Sequence, residues 1–291
     1  MGRLLKLGDA GGDLGRELNT RKEKVHSPPP RNRTLDRTAA GTLTAAMARA
    51  SSKKKTKAKK PKLMDRLAGM VRRLIRWAVL GTLALAVFLV AWVALYRFVN
   101  PPTGWYMWSE SRRLGGVQQE WVDFVDISPH MPLSVVAAED VNFCRHWGFD
   151  MGAIRAALED GGARGASTIT QQVVKNTFLW HGRTWVRKVL EALITPVVEI
   201  LWPKERILEV YLNMAEFDTG VFGVEAAAGR YFDTNAAGLN ARQSALLASV
   251  LPAPQDRNAA RPSDFMRRRA AAIQDGAATI ARDDRSACFG G

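Results

Sequence analysis

Hydrophobic residues are distributed along this chain in two different ways. From Trp77 to Tyr96, "WAVLGTLALAVFLVAWVALY", they run for 20 residues without a charge, a length that at about 1.5 Å per residue spans the roughly 30 Å hydrocarbon core of a bilayer. From Pro132 onward they instead recur three and four positions apart. The segments are "PLSVVAAEDVNFCRH", "STITQQVVKNTFLW", "TWVRKVLEALITPVVEILW", "KERILEVYLNMAEF", "GVEAAAGRYF", "NARQSALLASVL" and "FMRRRAAAIQDGAATIAR", set off by Gly, Pro or Asn. That spacing gives each helix one apolar stripe and predicts a mostly α domain over residues 127–282. Before it, the breakers "NPPTGW" and "ISPHMP" bracket a linker and membrane-proximal segment, residues 99–126, whose one β-prone stretch is "EWVDFVDI". Residues 283–291 read as a C-terminal tail.

The 291-residue chain carries a formal net charge of +14, and where the charge sits decides what it means. Met1 to Arg76 holds 21 Lys and Arg against 6 Asp and Glu, leaving 21 basic and 22 acidic residues in the remainder. A nucleic-acid footprint would lie on the folded surface, so no nucleic-acid partner is expected here. Residues 1–62, with "HSPPPRNR" and "SSKKKTKAKKPK", show no apolar period and read as a disordered basic tail. Residues 63–76 are a basic juxtamembrane segment and 77–98 a transmembrane anchor. A cleavable signal peptide has a shorter apolar core and small residues at its end, whereas "AWVALYRF" offers large ones. The basic flank puts the N-terminus in the cytoplasm and everything after Val99 outside it.

The two cysteines, Cys144 and Cys288, both fall on that outer side, where a disulfide is chemically allowed; the sequence leaves open whether they meet. No Cys/His grouping has zinc-ligand spacing.

Four polar constellations interrupt the apolar pattern. Glu139 and Asp140 end the turn "VVAAED" and are followed by Phe143 and His146; taken alone, such a carboxylate pair is as well explained by solvation. In "GARGASTITQQVVKN", Ser167 or Thr168 can cap the following helix, with Thr168 and Gln171 at capping-box spacing. Thr168, Gln172 and Lys175 fall at i, i+4 and i+7, with Asn176 beside Lys175, and so predict a polar face ending in a cation. In "RTWVRKVLEALI", Arg187 and Lys188 stand four and three residues before Glu191, the spacing of an ordinary surface ion pair. "KERILEVYLN" reads as an amphipathic helix burying Ile207, Leu208, Tyr211 and Leu212.

Taken in order, "EDVNFCRHWG", "GASTITQQVVKN", "RKVLE" and "KERILEVYLN" resemble the motifs of the peptidoglycan glycosyltransferases, glycosyltransferase family 51. "FLWHGRTWVRKVLEA" and "GVFGVEAAAGRYF" resemble its monofunctional branch. The resemblance covers roughly Ile127 to Arg282. It implies a lysozyme-like, two-lobed fold behind a single membrane helix, and polymerisation of lipid II with inversion. It also implies a place in the bacterial inner membrane, with the catalytic domain in the periplasm. Glu139 would be the general base on the acceptor 4-hydroxyl and Glu191 the second glutamate, acting at the donor pyrophosphate directly or through a cation or water. Lys175, Arg187 and Lys188 would bind the phosphates, Thr168, Gln172 and Asn176 would line the groove, and Asp140, Phe143 and His146 would position the first motif. No cofactor is obligatory; a divalent cation (Mg or Mn) at the pyrophosphate is the one candidate. Sensitivity to moenomycin is expected, and cell-division or elongation proteins are candidate partners.

Two other readings share parts of this pattern. A lysozyme-type hydrolase needs no cationic cluster for a pyrophosphate leaving group, and a non-catalytic scaffold would have lost polar motif residues. A transpeptidase is not expected: the two Ser-x-x-Lys matches, Ser51–Lys54 and Ser52–Lys55, lie in the basic tail without their partner motifs.

Overall fold

A computed structural model describes residues 62–161, 165–182 and 184–290. The tail expected to be disordered, apart from Lys62, lies outside these residues, as do Gly162, Ala163 and Arg164 of the loop "GARGAS".

The first helix, α1, runs unbroken over Leu63–Tyr96, so the juxtamembrane segment and the anchor are one element. Leu, Ala, Met and Arg all favour helix and nothing at residue 76 or 77 interrupts it. It is the one described helix long and apolar enough to cross a membrane. The carbonyls at its C-terminal end, which have no partner within a helix, are met from outside. Arg206 donates to Tyr96 O at 3.0 and 3.2 Å, to Val99 O at 3.1 Å and to Asn100 Oδ1 at 2.9 Å. Trp202 Nε1 donates to Val93 O at 2.8 Å and Arg97 to Leu201 O at 2.5 Å.

The segment 99–126, expected to be a linker, is packed structure. Helix α2, Trp105–Leu114, starts at Gly104, where a Cβ would lie 1.9 Å from Asn176 O, and ends at the left-handed Gly115. The strand β1 is Gln118–Gln119, just ahead of the β-prone "EWVDFVDI". That stretch forms no strand because a side chain meets its backbone instead: Val122 N donates to Asn213 Oδ1 and Asn213 Nδ2 to Val122 O, both at 2.9 Å. Phe124–Asp126 is a turn of 3₁₀ helix.

Helices α3 (His130–Glu139), α4 (Met151–Glu159), α5 (Ile169–Phe178), α6 (Trp185–Leu201) and α7 (Lys204–Met214) follow. Strands β2 (Glu216–Asp218) and β3 (Val221–Phe222) then form a hairpin, and β1 joins β3 in parallel to give the order β1-β3-β2. Helices α8 (Val224–Phe232), α9 (Ala241–Val250) and α10 (Asp264–Arg282) complete the described residues. Helix α3 packs with α9 and α10 around Met131, Val135, Leu247 and Ile280, while α5 packs between α6 and α7 around Ile169, Val174, Ile207 and Leu212. A helix forms within each of the seven periodic segments, but that in "PLSVVAAEDVNFCRH" stops at Glu139, and α4 falls outside them all. The sheet is missed by the sequence because strands of two or three residues carry no period.

Two features tie these groups together. Glu199, at the end of α6, accepts Thr170 Oγ1 at 2.5 Å and Lys204 Nζ at 2.9 Å; the same ammonium donates to His146 O at 2.9 Å and lies 4.3 Å from the centre of the Phe143 ring. Cys144 and Cys288 form a disulfide. Phe289 is buried with its ring 6.2 Å from that of Phe143, so residues 283–290 are a clamped end, not a free tail.

Candidate active site

Helix α3 ends on Glu139, and the next residue fixes where that carboxylate points. Asp140 is buried; its Oδ2 accepts Ile169 N, the first N–H of α5, at 3.0 Å, and its Oδ1 meets His146 Nε2 at 2.8 Å. The negative charge sits at the α5 N-terminus, where exposed N–H groups favour it. Joining the two helix ends places Glu139 opposite Gln172, one turn into α5. Gln172 Nε2 donates to Glu139 Oε2 at 3.0 Å, and Gln172 Oε1 accepts the Tyr211 hydroxyl at 3.3 Å. Burial, and secondarily the charges of Glu139 and Asp140, hold the Tyr211 phenol well above its usual pKa, so Tyr211 acts only as a neutral donor.

Thr168 departs from the expected polar face. It caps α5 in the capping box that its spacing with Gln171 predicts, and it is 2 % exposed. Its hydroxyl is used up, donating to Gly148 O at 2.7 Å and accepting Gln171 N at 3.3 Å. A cap residue has non-helical backbone, so the i, i+4, i+7 count that puts Thr168 on one face with Gln172 and Lys175 does not reach it. The open polar face is Gln172, Lys175 and Asn176.

Glu191, on α6, is 3 % exposed, not the surface residue of an ordinary ion pair. Arg187 Nη1 donates to its Oε2 at 2.6 Å, and Lys188 Nζ donates to its Oε1. Arg187 Nε is held by Gly182 O at 2.7 Å. Lys175 forms no hydrogen bond or ion pair among the described residues. Burial lowers its pKa, with Arg187 and Lys188 acting in the same direction against Glu191 and Glu139. A partly buried cation without a fixed partner among the described residues is poised to take an anion. Both Glu191 oxygens are occupied, and no group of three His, Cys, Asp or Glu gathers among the described residues.

A transglycosylase family model matches residues 109–277. The chain belongs to the transglycosylase family. It is 55 % identical over 238 residues to the biosynthetic peptidoglycan transglycosylase of Jannaschia sp. (strain CCS1), covering 82 % of this chain and 99 % of that one. The protein of the same name from Xanthomonas axonopodis pv. citri (strain 306) is 47 % identical over 214 residues, 70 % of this chain and 87 % of its own. That from Rhodospirillum centenum (strain ATCC 51521 / SW) is 45 % identical over 225 residues, 76 % and 97 %. The protein is thus a glycosyl-transferring enzyme with the lysozyme-like, mostly helical fold implied by its motifs. The transglycosylase match begins inside α2, ahead of Ile127.

In this transglycosylase, Gln172, Lys175 and Asn176 open onto a cavity of about 480 Å³ that also involves residues not singled out in the sequence. Tyr106 of α2 donates its hydroxyl to Glu216 Oε2 at 2.6 Å, and its ring stacks on His181 with centroids 3.7 Å apart. Partial burial of His181, with Lys175 and Arg187 nearby, pushes its pKa down to about 4, so it is neutral at pH 7. In the sequence Tyr211 reads as a core residue and Tyr106 carries no assigned role. Nothing in spacing links Tyr106 to Glu216. On the other side of Glu139, a recess of about 100 Å³ is lined by Asp140, Gly165, Ala166 and Ser167. Phe143 is fully buried beneath Lys204, between the carboxylates and the disulfide.

Proposed function

We propose that this transglycosylase builds peptidoglycan glycan strands by polymerising lipid II, without cross-linking the peptides. The observation that carries the reading is one carboxylate, Glu139, oriented by Gln172 on the same helix face as Lys175, whose ammonium has no partner among the described residues. Glu139 takes the proton of the acceptor 4-hydroxyl as the oxygen attacks the anomeric carbon of the donor sugar from the face opposite the pyrophosphate. The bond to the pyrophosphate breaks, and the electron pair leaves with it. Lys175, Arg187 and Lys188 meet the charge that develops there, in a setting where fixed cations stabilise a departing anion more than water does. Glu191 holds Arg187 and Lys188 in place from within the fold. No step is routed through a metal ion.

A lipid-linked substrate has to be met at the bilayer, and α1 supplies the anchor. The outward side of α6, with Trp185, Val186, Val189, Leu193 and Ile200 exposed, suits the boundary between headgroups and acyl chains. The basic residues before the apolar run support an N-terminus in the cytoplasm. The Cys144–Cys288 bond supports a catalytic domain on the oxidising side.

The test is polymerisation of purified lipid II by the full chain in detergent micelles or vesicles, read as glycan chains on a gel. Wild type is expected to polymerise it, and Glu139→Gln to remain folded and inactive. Release of sugar from finished peptidoglycan without polymerisation of lipid II, or full activity in Glu139→Gln, would overturn the reading.

A further inference from the structure

Another depression, of about 470 Å³, shares no residue with the cavity of Gln172 and Lys175. Its walls include Phe124 and Val125 of the 3₁₀ turn, Pro129 and Leu133 at the start of α3, Glu205 in the first turn of α7, and Phe289. Val125 is 82 % exposed. The chain that carries it is nevertheless fixed. Asp126 N and Ile127 N donate to Asp123 O and Phe124 O at 2.9 and 3.2 Å, Asn213 holds the backbone of Val122 on both sides, and Ser128 Oγ donates to Leu239 O at 2.6 Å. A lone exposed valine needs no account. One held still beside Phe124, Pro129 and Leu133 extends an apolar surface that is already in its bound shape, so covering it costs little ordering.

The rim decides what can cover it. Asp123 and Asp126 flank Phe124 and Val125 in the chain and Glu205 lines the depression; all three carboxylates are exposed and form no ion pair among the described residues. No Lys or Arg occurs between Arg113 and Arg145. Arg206, next to Glu205, is spent elsewhere, on Tyr96 O, Val99 O and Glu209. The rim therefore has one sign. It repels anionic lipid headgroups and acidic peptides, and it attracts Lys and Arg. The Arg206 contacts also fix the position of the depression: Glu205 is one residue from the group that meets the end of α1, so the depression lies close to where the apolar span ends.

We propose that this depression docks a basic, extended segment of a partner protein. An apolar side chain of the segment seats against Val125 and Leu133, and Lys or Arg on either side of it meet Asp123, Asp126 and Glu205. With the end of α1 beside it, the depression fits a segment just outside the apolar span of another membrane-anchored protein. Docking there brings a second protein to the enzyme and leaves the cavity of Gln172 and Lys175 open.

The experiment uses the full chain in phosphatidylcholine nanodiscs and a short synthetic peptide that alternates lysine and leucine, with a glutamate–leucine peptide as its counterpart. Binding is read on a biosensor after subtraction of binding to empty discs. The lysine peptide is expected to bind wild type at least tenfold more tightly than the glutamate peptide. Val125→Ser is expected to weaken it by about tenfold, the share of one covered aliphatic side chain. Asp126→Asn and Glu205→Gln are expected to weaken it by about threefold each, as exposed charge pairs do, and to reduce its dependence on salt. All three side chains are already in solvent, so the variants stay folded, and lipid II polymerisation without peptide is expected to match wild type. The proposal is overturned by a lysine peptide that does not bind, by equal binding of the two peptides, or by unchanged affinity in Val125→Ser and Asp126→Asn. Self-association of wild type that Val125→Ser abolishes would give the depression to a second copy of this chain and overturn it as well.

Discussion

The side-chain amide of Gln172 donates to Glu139 Oε2 at 3.0 Å, and its orientation is set in turn by the buried hydroxyl of Tyr211, 3.3 Å from Gln172 Oε1. A flipped amide would turn an oxygen toward the carboxylate, so Tyr211 decides which end of Gln172 faces the base. Tyr211→Phe removes that preference without opening a cavity. The expected result is a fall in kcat of about threefold, the low end of what one neutral hydrogen bond contributes, with KM for lipid II unchanged. Gln172→Leu should cost more, because it leaves Glu139 without its donor. A loss in Tyr211→Phe as deep as that in Glu139→Gln would mean that the phenol touches the reacting atoms instead of positioning them.

His181 makes stability depend on pH in a direction that can be worked out. Its pKa is pushed from 6.5 to about 4, first by burial and then by Lys175 and Arg187. Between those values the unfolded chain binds more protons than the folded one, so stability contributed by neutral His181 is complete above pH 6.5 and is lost as pH falls toward 4. Thermal melts between pH 7 and pH 4 should fall less steeply for His181→Gln than for wild type. Because the ring is partly open to solvent, the difference should be modest and should shrink when salt screens Lys175 and Arg187. Identical slopes in the two proteins would remove this assignment.

Much of this arrangement could be read before folding, and the parts that could not have physical reasons. The capping box of Thr168 and Gln171 and the pairing of Arg187 and Lys188 with Glu191 follow from three- and four-residue spacing, and both form. Spacing does not say that Glu191 is buried, because that depends on what packs over α6. Nor does it turn the Thr168 hydroxyl inward to Gly148, since helical counting fails at a cap. Tyr106 and Glu216 are 110 residues apart and meet only because α2 settles on α5; no local pattern carries that. Strands as short as Gln118–Gln119 and Val221–Phe222 are specified by the tertiary contacts that pair them.

Arg206, with Trp202 and Arg97, joins the membrane helix to the domain. Its guanidinium, 8 % exposed, spans the carbonyls of Tyr96 and Val99 and the side chain of Asn100, and pairs with Glu209 at 2.9 Å. Arg206→Ala leaves those carbonyls and Glu209 without their donor in a partly buried setting, at a cost of about 1–3 kcal/mol. Arg206→Lys should recover little, since an ammonium cannot reproduce the planar fork. Denaturant unfolding of the micelle-bound protein measures both variants. Wild-type stability in Arg206→Ala would show that the packing of α1 on α6 holds the junction without it.

The disulfide should matter more for stability than for turnover. Cys144 and Cys288 are separated by 144 residues, and closing so long a loop restricts the unfolded chain enough to contribute about 5 kcal/mol in the loop-entropy account. Cys144 lies in the short 3₁₀ turn Phe143–Arg145, between Glu139 and His146, so the bond also clamps the chain that follows the proposed base. The contacts that aim Glu139 do not pass through it: Asp140 is held by Ile169 N and His146, and Phe143 by Lys204 and Phe289. The double variant Cys144→Ser/Cys288→Ser, or wild type in reductant, should therefore unfold at markedly lower denaturant while keeping kcat within about threefold of wild type, no more than the low end of one hydrogen bond's share. An unfolding midpoint that reductant does not move would show that the clamp rests on the buried Phe289 ring. A collapse of kcat in protein that is still folded would place the disulfide among the groups that orient Glu139.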